Sequence, residues 1–291
     1  MKRVVAFPLV RLLLIVVTFA VLIAPVVLAI NRAAAHPASA NAARSVWTGI
    51  AISWAAALLL LAVLIVIERL TTGRPPRKIG FDPVYALRDL SLGVALGAAL
   101  FSVVVLELAA GGHYRVTAIH LTPALAPAAL LLLADAAAEE LLFRGIVFRL
   151  IEEWAGTWIA LAISAILFGA VHVANPGATW VSTLAIALEA GVLLAAAFVV
   201  TKNLWLPIGL HFAWNFFEGP IYGTQISGHA FLTSAIGAQL RGPALLTGGA
   251  FGPEAGLPAT ITCLVAAAVL LVYARRHSLI MSPQWVQRHA A

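Results

Sequence analysis

Leu130-Leu131-Leu132-Leu133-Ala134-Asp135-Ala136-Ala137-Ala138-Glu139-Glu140-Leu141-Leu142-Phe143-Arg144 sets three carboxylates and a guanidinium inside an apolar run. The run extends over 124–148, about 37 Å of helix at 1.5 Å per residue, against a hydrocarbon core of about 30 Å. Charge at that depth costs at least a few kcal/mol and needs a partner or a task. Two further runs carry polar groups in the same way: Phe168-Gly169-Ala170-Val171-His172, and His211-Phe212-Ala213-Trp214-Asn215. Glu, Glu, Arg, His, His and Asn together make up a set suited to activating water.

Outward from these runs, composition fixes the solvent. The 291 residues are 62% hydrophobic and 10% charged, with mean hydropathy +1.00. Soluble domains carry roughly 25% charged residues. The apolar runs are continuous rather than alternating, which argues against strands and points to helices that satisfy their own backbone in lipid. The expected fold is all-α, a polytopic transmembrane helix bundle of about eight spans with no sheet. The spans are read at about 8–30, 47–67, 90–110, 124–148, 158–174, 181–201, 204–217 and 259–274.

The net charge of +6 does not mark a nucleic-acid binder. With eight spans and the N-terminus inside, 14 of the 18 basic residues fall on the inner side, leaving Arg32, Arg44, Arg115 and Arg241 outside. That bias is the positive-inside pattern. It predicts a multi-pass protein of a bacterial plasma membrane with both termini cytoplasmic, membrane lipid as its surroundings and no nucleic-acid partner. The first run has a rival reading as a signal peptide, with Ala38-Ser39-Ala40 as the cleavage pattern. Its length, well beyond the roughly 7–15 residues of a signal core, favours an anchor. Cys263 stands alone, so no disulfide framework or CxxC metal site exists.

The chain divides into 1–120 with three spans, 121–218 with the core spans that carry the motifs, a Gly/Pro-rich outer loop at 219–258, and 259–291 with the last span and a cytoplasmic tail. Gly93 and Gly97 form a small-xxx-small pair that permits close helix packing. The loop is too rich in Gly and Pro for a spanning helix. It either caps a site or merely connects.

Glu140 and Arg144 are four apart with the acid first, the better orientation for a helical ion pair. Neighbouring helix positions point about 100° apart, which leaves Glu139 facing elsewhere and available for chemistry. Asp135 lies one turn before it on the same face. The bland alternative is a structural knot of all four charges. His172 taken alone is a packing residue; beside Glu139 its imidazole shares a water and helps draw off a proton. His211 and Asn215 sit one turn apart and aim donors at one point, as an oxyanion requires, unless they form a polar seam between helices. Glu107 reads as an interfacial acid, and Glu189 as a mid-span acid able to pair with a polar group of the site. Counting rises from the span ends sets Glu139 and His211 near the cytoplasmic side and His172 near the outer side. A common site then requires a tilted fifth helix, or one that starts deeper.

The three motifs, Glu-Glu-x-x-x-Arg at 139–144, Phe-x-x-x-His at 168–172 and His-x-x-x-Asn at 211–215, resemble in order and spacing the CPBP or Abi family. Its members are CAAX prenyl proteases and bacteriocin-processing or self-immunity proteins. The Leu204-Trp205-Leu206-Pro207-Ile208-Gly209-Leu210 lead-in is similar too. The resemblance covers about 125–220. It implies an intramembrane glutamic endopeptidase in which Glu139 is the base, His172 assists, His211 and Asn215 hold the oxyanion, and Glu140 with Arg144 supports the helix face. The partner so implied is a membrane-associated peptide or protein substrate, with no cofactor. Two rivals stand beside it. One is a zinc peptidase with Glu139, His172 and His211 as ligands, although HExxH spacing is absent. The other is a non-enzymatic immunity or scaffold protein.

Overall fold

The computed structural model describes residues 2–34, 42–120, 122–231 and 234–287. The Ala38-Ser39-Ala40 pattern and Arg288 lie outside these. The long helices are α1 (Pro8–Ala34), α2 (Ala42–Thr72), α3 (Ala86–Ala110), α4 (Leu125–Glu140), α5 (Arg149–Val171), α6 (Trp180–Ile186), α7 (Val192–Thr201), α8 (Trp205–Phe216) and α9 (Leu257–Arg276). Wide π-type turns extend α4 over Leu141–Phe148, join α6 to α7 over Ala187–Gly191, and close α8 over Phe217–Ile221.

Six helical stretches are long and apolar enough to cross a membrane, not about eight. The protein is therefore a multi-pass integral membrane protein with fewer spans than the apolar runs suggest. At 12 residues, α8 is about 18 Å long and too short to cross alone. The expected spans 124–148 and 158–174 are both kept, as the two arms of the single stretch Leu125–Ala174, which folds back at Gly156. Gly156 adopts φ 78°, ψ 171°, which L side chains rarely adopt. A Cβ there would sit 2.7 Å from the Met281 carbonyl oxygen, because the C-terminal tail crosses the turn. The fold-back is measured by the Phe143 and Phe168 rings, whose centroids lie 4.9 Å apart although 25 residues separate them.

The expectation of no sheet is also corrected. β1 (Tyr114–Ile119) pairs antiparallel with β2 (Ile236–Leu240), Tyr114 opposite Leu240 and Ile119 opposite Ile236, with an irregularity between Val116 and Ala118. Both strands lie in connections, outside the spanning helices, where a two-stranded ribbon breaks no intramembrane backbone bonding. The Tyr114 hydroxyl donates to the Tyr222 carbonyl at 2.8 Å, and the Tyr222 hydroxyl donates to Ser102 Oγ at 2.9 Å, tying the ribbon to α3. The Gly/Pro-rich segment is thus folded structure.

Charge gathers at the other end. Arg11 on α1 donates to both oxygens of Glu68 at 2.9 and 2.8 Å, Arg149 reaches Glu68 at 2.8 Å and Glu153 at 2.9 Å, and Arg74 and Arg11 also meet Glu153. Lys202 pairs with Glu152 at 2.7 Å. Arg11 and Glu68 are essentially inaccessible, so each needs the other. This network clips α1 and α2 to the turn at Gly156.

Gly93 and Gly97 place the helix that carries the third motif. A Cβ on Gly93 would lie 2.3 Å from the Leu206 carbonyl oxygen, and one on Gly97 2.3 Å from that of Leu210. Gly209 approaches α3 equally closely, 2.4 Å from the Leu90 oxygen. Small residues on both faces let α3 and α8 touch backbone to backbone, which sets the depth of His211.

Candidate active site

The fold-back at Gly156 resolves the conflict in depth. Glu139 lies 17 residues before the turn and His172 lies 16 after it, or about 25 Å and 24 Å along the two arms. The helix that holds Glu139 continues past 148, so Glu139 is farther from the basic end than the run lengths suggest. Leu204 packs against Gly145, and two turns later α8 brings His211 level with the glutamates. No special tilt is required.

Glu139, His172, His211 and Asn215 all line one cavity of about 680 Å³, together with Asp135. The six motif residues converge in two layers. In the inner layer, Glu140 is wholly buried and its Oε1 accepts from Arg144 Nη1 at 2.8 Å and from His211 Nδ1 at 2.9 Å. Arg144 is also wholly buried. Its other terminal nitrogen donates to the carbonyls of Ala190 at 2.8 Å and Gly191 at 3.3 Å. Those carbonyls belong to the π-type turn, where widening shifts the helical bonding pattern. The guanidinium stacks 4.5 Å above the Phe168 ring, a cation–π contact that offsets part of its desolvation.

In the outer layer, Glu139 Oε2 has no hydrogen-bond partner and lies 4.0 Å from His211 Nε2. Its side chain keeps 38% of its accessible surface, against none for Glu140. The doublet is thus split as the 100° rotation requires, one acid tied and one free. An ionised Glu140 only accepts, so His211 Nδ1 carries a hydrogen and Nε2 turns to Glu139. His172 Nδ1 lies 2.7 Å from the Phe168 carbonyl; it donates there and leaves Nε2 for the cavity. Neutral His172 and His211 therefore both present a lone pair at Nε2, and His211 donates from Nε2 only as the imidazolium.

Further residues reach the cavity that sequence reasoning did not single out. Ser227, His229 and Glu254 come from the Gly/Pro loop, which is therefore part of the wall, and Trp214 comes from α8. Of these only Trp214 lies within a motif; an acid between glycines, as in Gly252-Pro253-Glu254-Ala255-Gly256, carries no spacing signal. Glu189 lines the cavity too and accepts from Cys263 Sγ at 3.1 Å. Glu107 stays at the exposed side, 3.4 Å from Thr262 Oγ1. Among the described residues no three His, Cys, Asp or Glu side chains are placed to hold a metal ion.

Residues 120–217 match the family model for the Type II CAAX prenyl endopeptidase Rce1-like proteins. No curated protein and no solved structure matches the chain. The matched segment is about a third of the sequence. It holds both arms of the fold-back, the π-type turns behind Arg144, and all three motifs. Through these residues the chain is similar to the Type II CAAX prenyl endopeptidase Rce1-like family.

Proposed function

We propose that Glu139 activates a water in this cavity for attack on a peptide carbonyl, with no covalent enzyme intermediate. The observation that carries this reading is the split doublet: Glu140 is held by Arg144 and His211 and has no accessible surface, whereas Glu139 lines the cavity and its side chain keeps 38% of its surface. A base must be within reach of the proton it takes, directly or through one water. A water held by the Glu139 carboxylate lies beside His211, whose Nε2 is 4.0 Å from Glu139 Oε2.

The roles follow from donor and acceptor chemistry. Glu139 takes the proton of the attacking water, and His172, fixed by its bond to Phe168, accepts a second hydrogen bond from that water through Nε2. His211 as imidazolium, with Nδ1–H held by Glu140, directs Nε2–H to the carbonyl oxygen, and the Asn215 amide adds a second donor. Arg144 and Glu140 keep the imidazole oriented. The substrate is a membrane-associated peptide or protein whose scissile bond enters an apolar-walled cavity. The spans over 121–218 carry the chemistry and 1–120 supply packing helices. The basic end faces the cytoplasm with both termini, in keeping with the positive-inside pattern.

The test is hydrolysis of a farnesylated C-a-a-X tetrapeptide and of its unprenylated counterpart by the purified full chain in lipid nanodiscs, run in ¹⁸O-water. One label per new carboxylate and no trapped acyl-enzyme are expected, with Glu139→Ala inactive. Wild-type rates in Glu139→Ala refute the assignment and favour a scaffold function.

A further inference from the structure

The Gly/Pro loop meets the end of α8 through carboxyl groups. Glu218, in the wide turn that closes α8, is wholly buried. Glu254 in the loop and Glu189 between α6 and α7 are almost as enclosed. Glu254 Oε1 accepts from both the main-chain N–H and the hydroxyl of Ser227, each at 2.6 Å, and the Glu254 N–H donates to Glu218 Oε1 at 3.3 Å. Gly228, next to Ser227, donates to the Phe251 carbonyl at 2.6 Å. A Cβ on Gly252 would lie 2.2 Å from the Gln225 carbonyl oxygen and 3.4 Å from Glu218 Oε1. Two loop segments, 225–229 and 250–255, are thus fastened to each other and rest together on Glu218. They carry Ile226, Ser227, His229 and Glu254 of the cavity wall.

The groups facing Glu218 and Glu254 are Ser227, Glu189, Cys263 and, within electrostatic reach of Glu254, His172. Every ion pair among the described residues involves other acids. Three buried carboxyls with no cation paired to them cannot all be ionised. Their contacts separate the charged group from the neutral one. Glu254 has two donors on one oxygen, which favours its carboxylate. Glu218 Oε2 has neither accessible surface nor a partner, so a charge there would find no water and no donor. Glu218 keeps its proton beside the Glu254 carboxylate. Burial, and then the neighbouring acids, push the Glu218 carboxyl well above the usual carboxylate range. Burial acts in the same direction on Glu254, where the Ser227 donors oppose it.

We propose that Glu218 is a proton-operated latch: its neutral carboxyl seats segments 225–229 and 250–255 against the bundle, and its ionisation releases them and opens the cavity wall. Loss of the proton sets a second carboxylate against that of Glu254 in a dry contact. The loop is the part that yields. Ser227 holds φ 47°, a left-handed conformation that costs energy for a residue other than Gly, and such a conformation persists only while its surroundings enforce it. In the released loop water reaches Glu218, and its carboxyl returns to the ordinary value of about 4.3. The seated form binds the proton more tightly. Seating is therefore complete below that value and weakens as pH rises above it, by up to about tenfold per pH unit for one proton, until Glu218 ionises in place.

The test is hydrogen exchange of the full chain in lipid nanodiscs, read on peptides covering 225–229 and 250–255 and scaled for the intrinsic pH dependence of amide exchange. Between about pH 5.5 and about pH 7.5, wild-type protection there should fall at least about tenfold, as the release of one proton allows. Glu218→Gln keeps an acceptor for the Glu254 N–H and cannot ionise, so its protection should change less than about threefold over the same range. Glu254→Gln keeps the acceptor for Ser227 and removes the opposing charge, which should lessen the fall. Glu107→Gln, at an exposed acid beside Thr262, should keep the wild-type fall. Wild-type protection that does not vary with pH overturns the proposal, as does a wild-type fall in Glu218→Gln or its loss in Glu107→Gln. An undiminished fall in Glu254→Gln overturns it too, so refutation stays possible if Glu218→Gln does not fold. Exchange reads the loop directly, and its outcome does not depend on whether Glu139 activates water.

Discussion

Arg144→Met isolates the buried ion pair. The guanidinium has no accessible surface and satisfies Glu140 Oε1 at 2.8 Å, the Ala190 carbonyl at 2.8 Å and the Gly191 carbonyl at 3.3 Å. Met fills most of the volume and keeps contact with Phe168, so the packing loss is small. What remains is an ionised Glu140 in a dry site with only His211 to donate, and two carbonyls without their donor. Breaking a buried pair from one side costs about 3–5 kcal/mol. At roughly 2–4 °C per kcal/mol for a chain of this size, the melting midpoint in nanodiscs should fall by about 6–20 °C. The double variant Glu140→Gln/Arg144→Met removes the stranded charge, and Gln keeps an acceptor for His211 Nδ1. It should regain more than half of the lost stability, with a coupling energy of about 2 kcal/mol or more between the sites. Thermal unfolding of wild type, both single variants and the double, followed by intrinsic tryptophan fluorescence, completes the cycle. A drop below about 1 kcal/mol for Arg144→Met, or additive single effects, would refute the claim that Arg144 exists to hold Glu140.

Glu139→Ala should behave in the opposite way. Glu139 has an unpartnered oxygen and a partly exposed side chain, so its loss should leave the melting midpoint within about 0.5 kcal/mol of wild type and lower kcat by about 10²–10⁴-fold. Gly97→Leu should destabilise by about 1–3 kcal/mol through overpacking, since even a Cβ meets the Leu210 oxygen at 2.3 Å, and should lower activity further by displacing His211. Gly49→Ala has nothing within 4 Å of the new carbon and should gain about 0.5–1 kcal/mol in the same unfolding assay. Treatment with 1,10-phenanthroline should leave peptide hydrolysis unchanged, because no three ligands converge among the described residues; stoichiometric zinc whose removal abolishes hydrolysis would revive the metal reading.

Spacing along a helix is a local property, and local properties were legible. The pairing of Glu140 with Arg144, the release of Glu139 to another direction, and the close approach allowed by Gly93 and Gly97 all follow from 3.6 residues per turn and from side-chain size. Apolar run lengths determined the solvent of the fold, since hydrocarbon leaves the backbone few options. Run lengths did not determine how the helices are cut and folded. Gly156 turns one apparent sequence of spans into a hairpin that equalises the depths of Glu139 and His172, and no periodicity marks that glycine apart from the chain's other 21. The tautomer of His211 depends on Glu140, 71 residues away. The ribbon of β1 and β2 joins segments more than 110 residues apart, and the cavity brings Glu254 to the same wall as Glu139, 115 residues before it. The sequence determined which side chains are costly to bury and in which direction each helix presents them; only the tertiary structure decided which ones share a cavity, because contacts between distant segments arise from packing, and no local spacing records them.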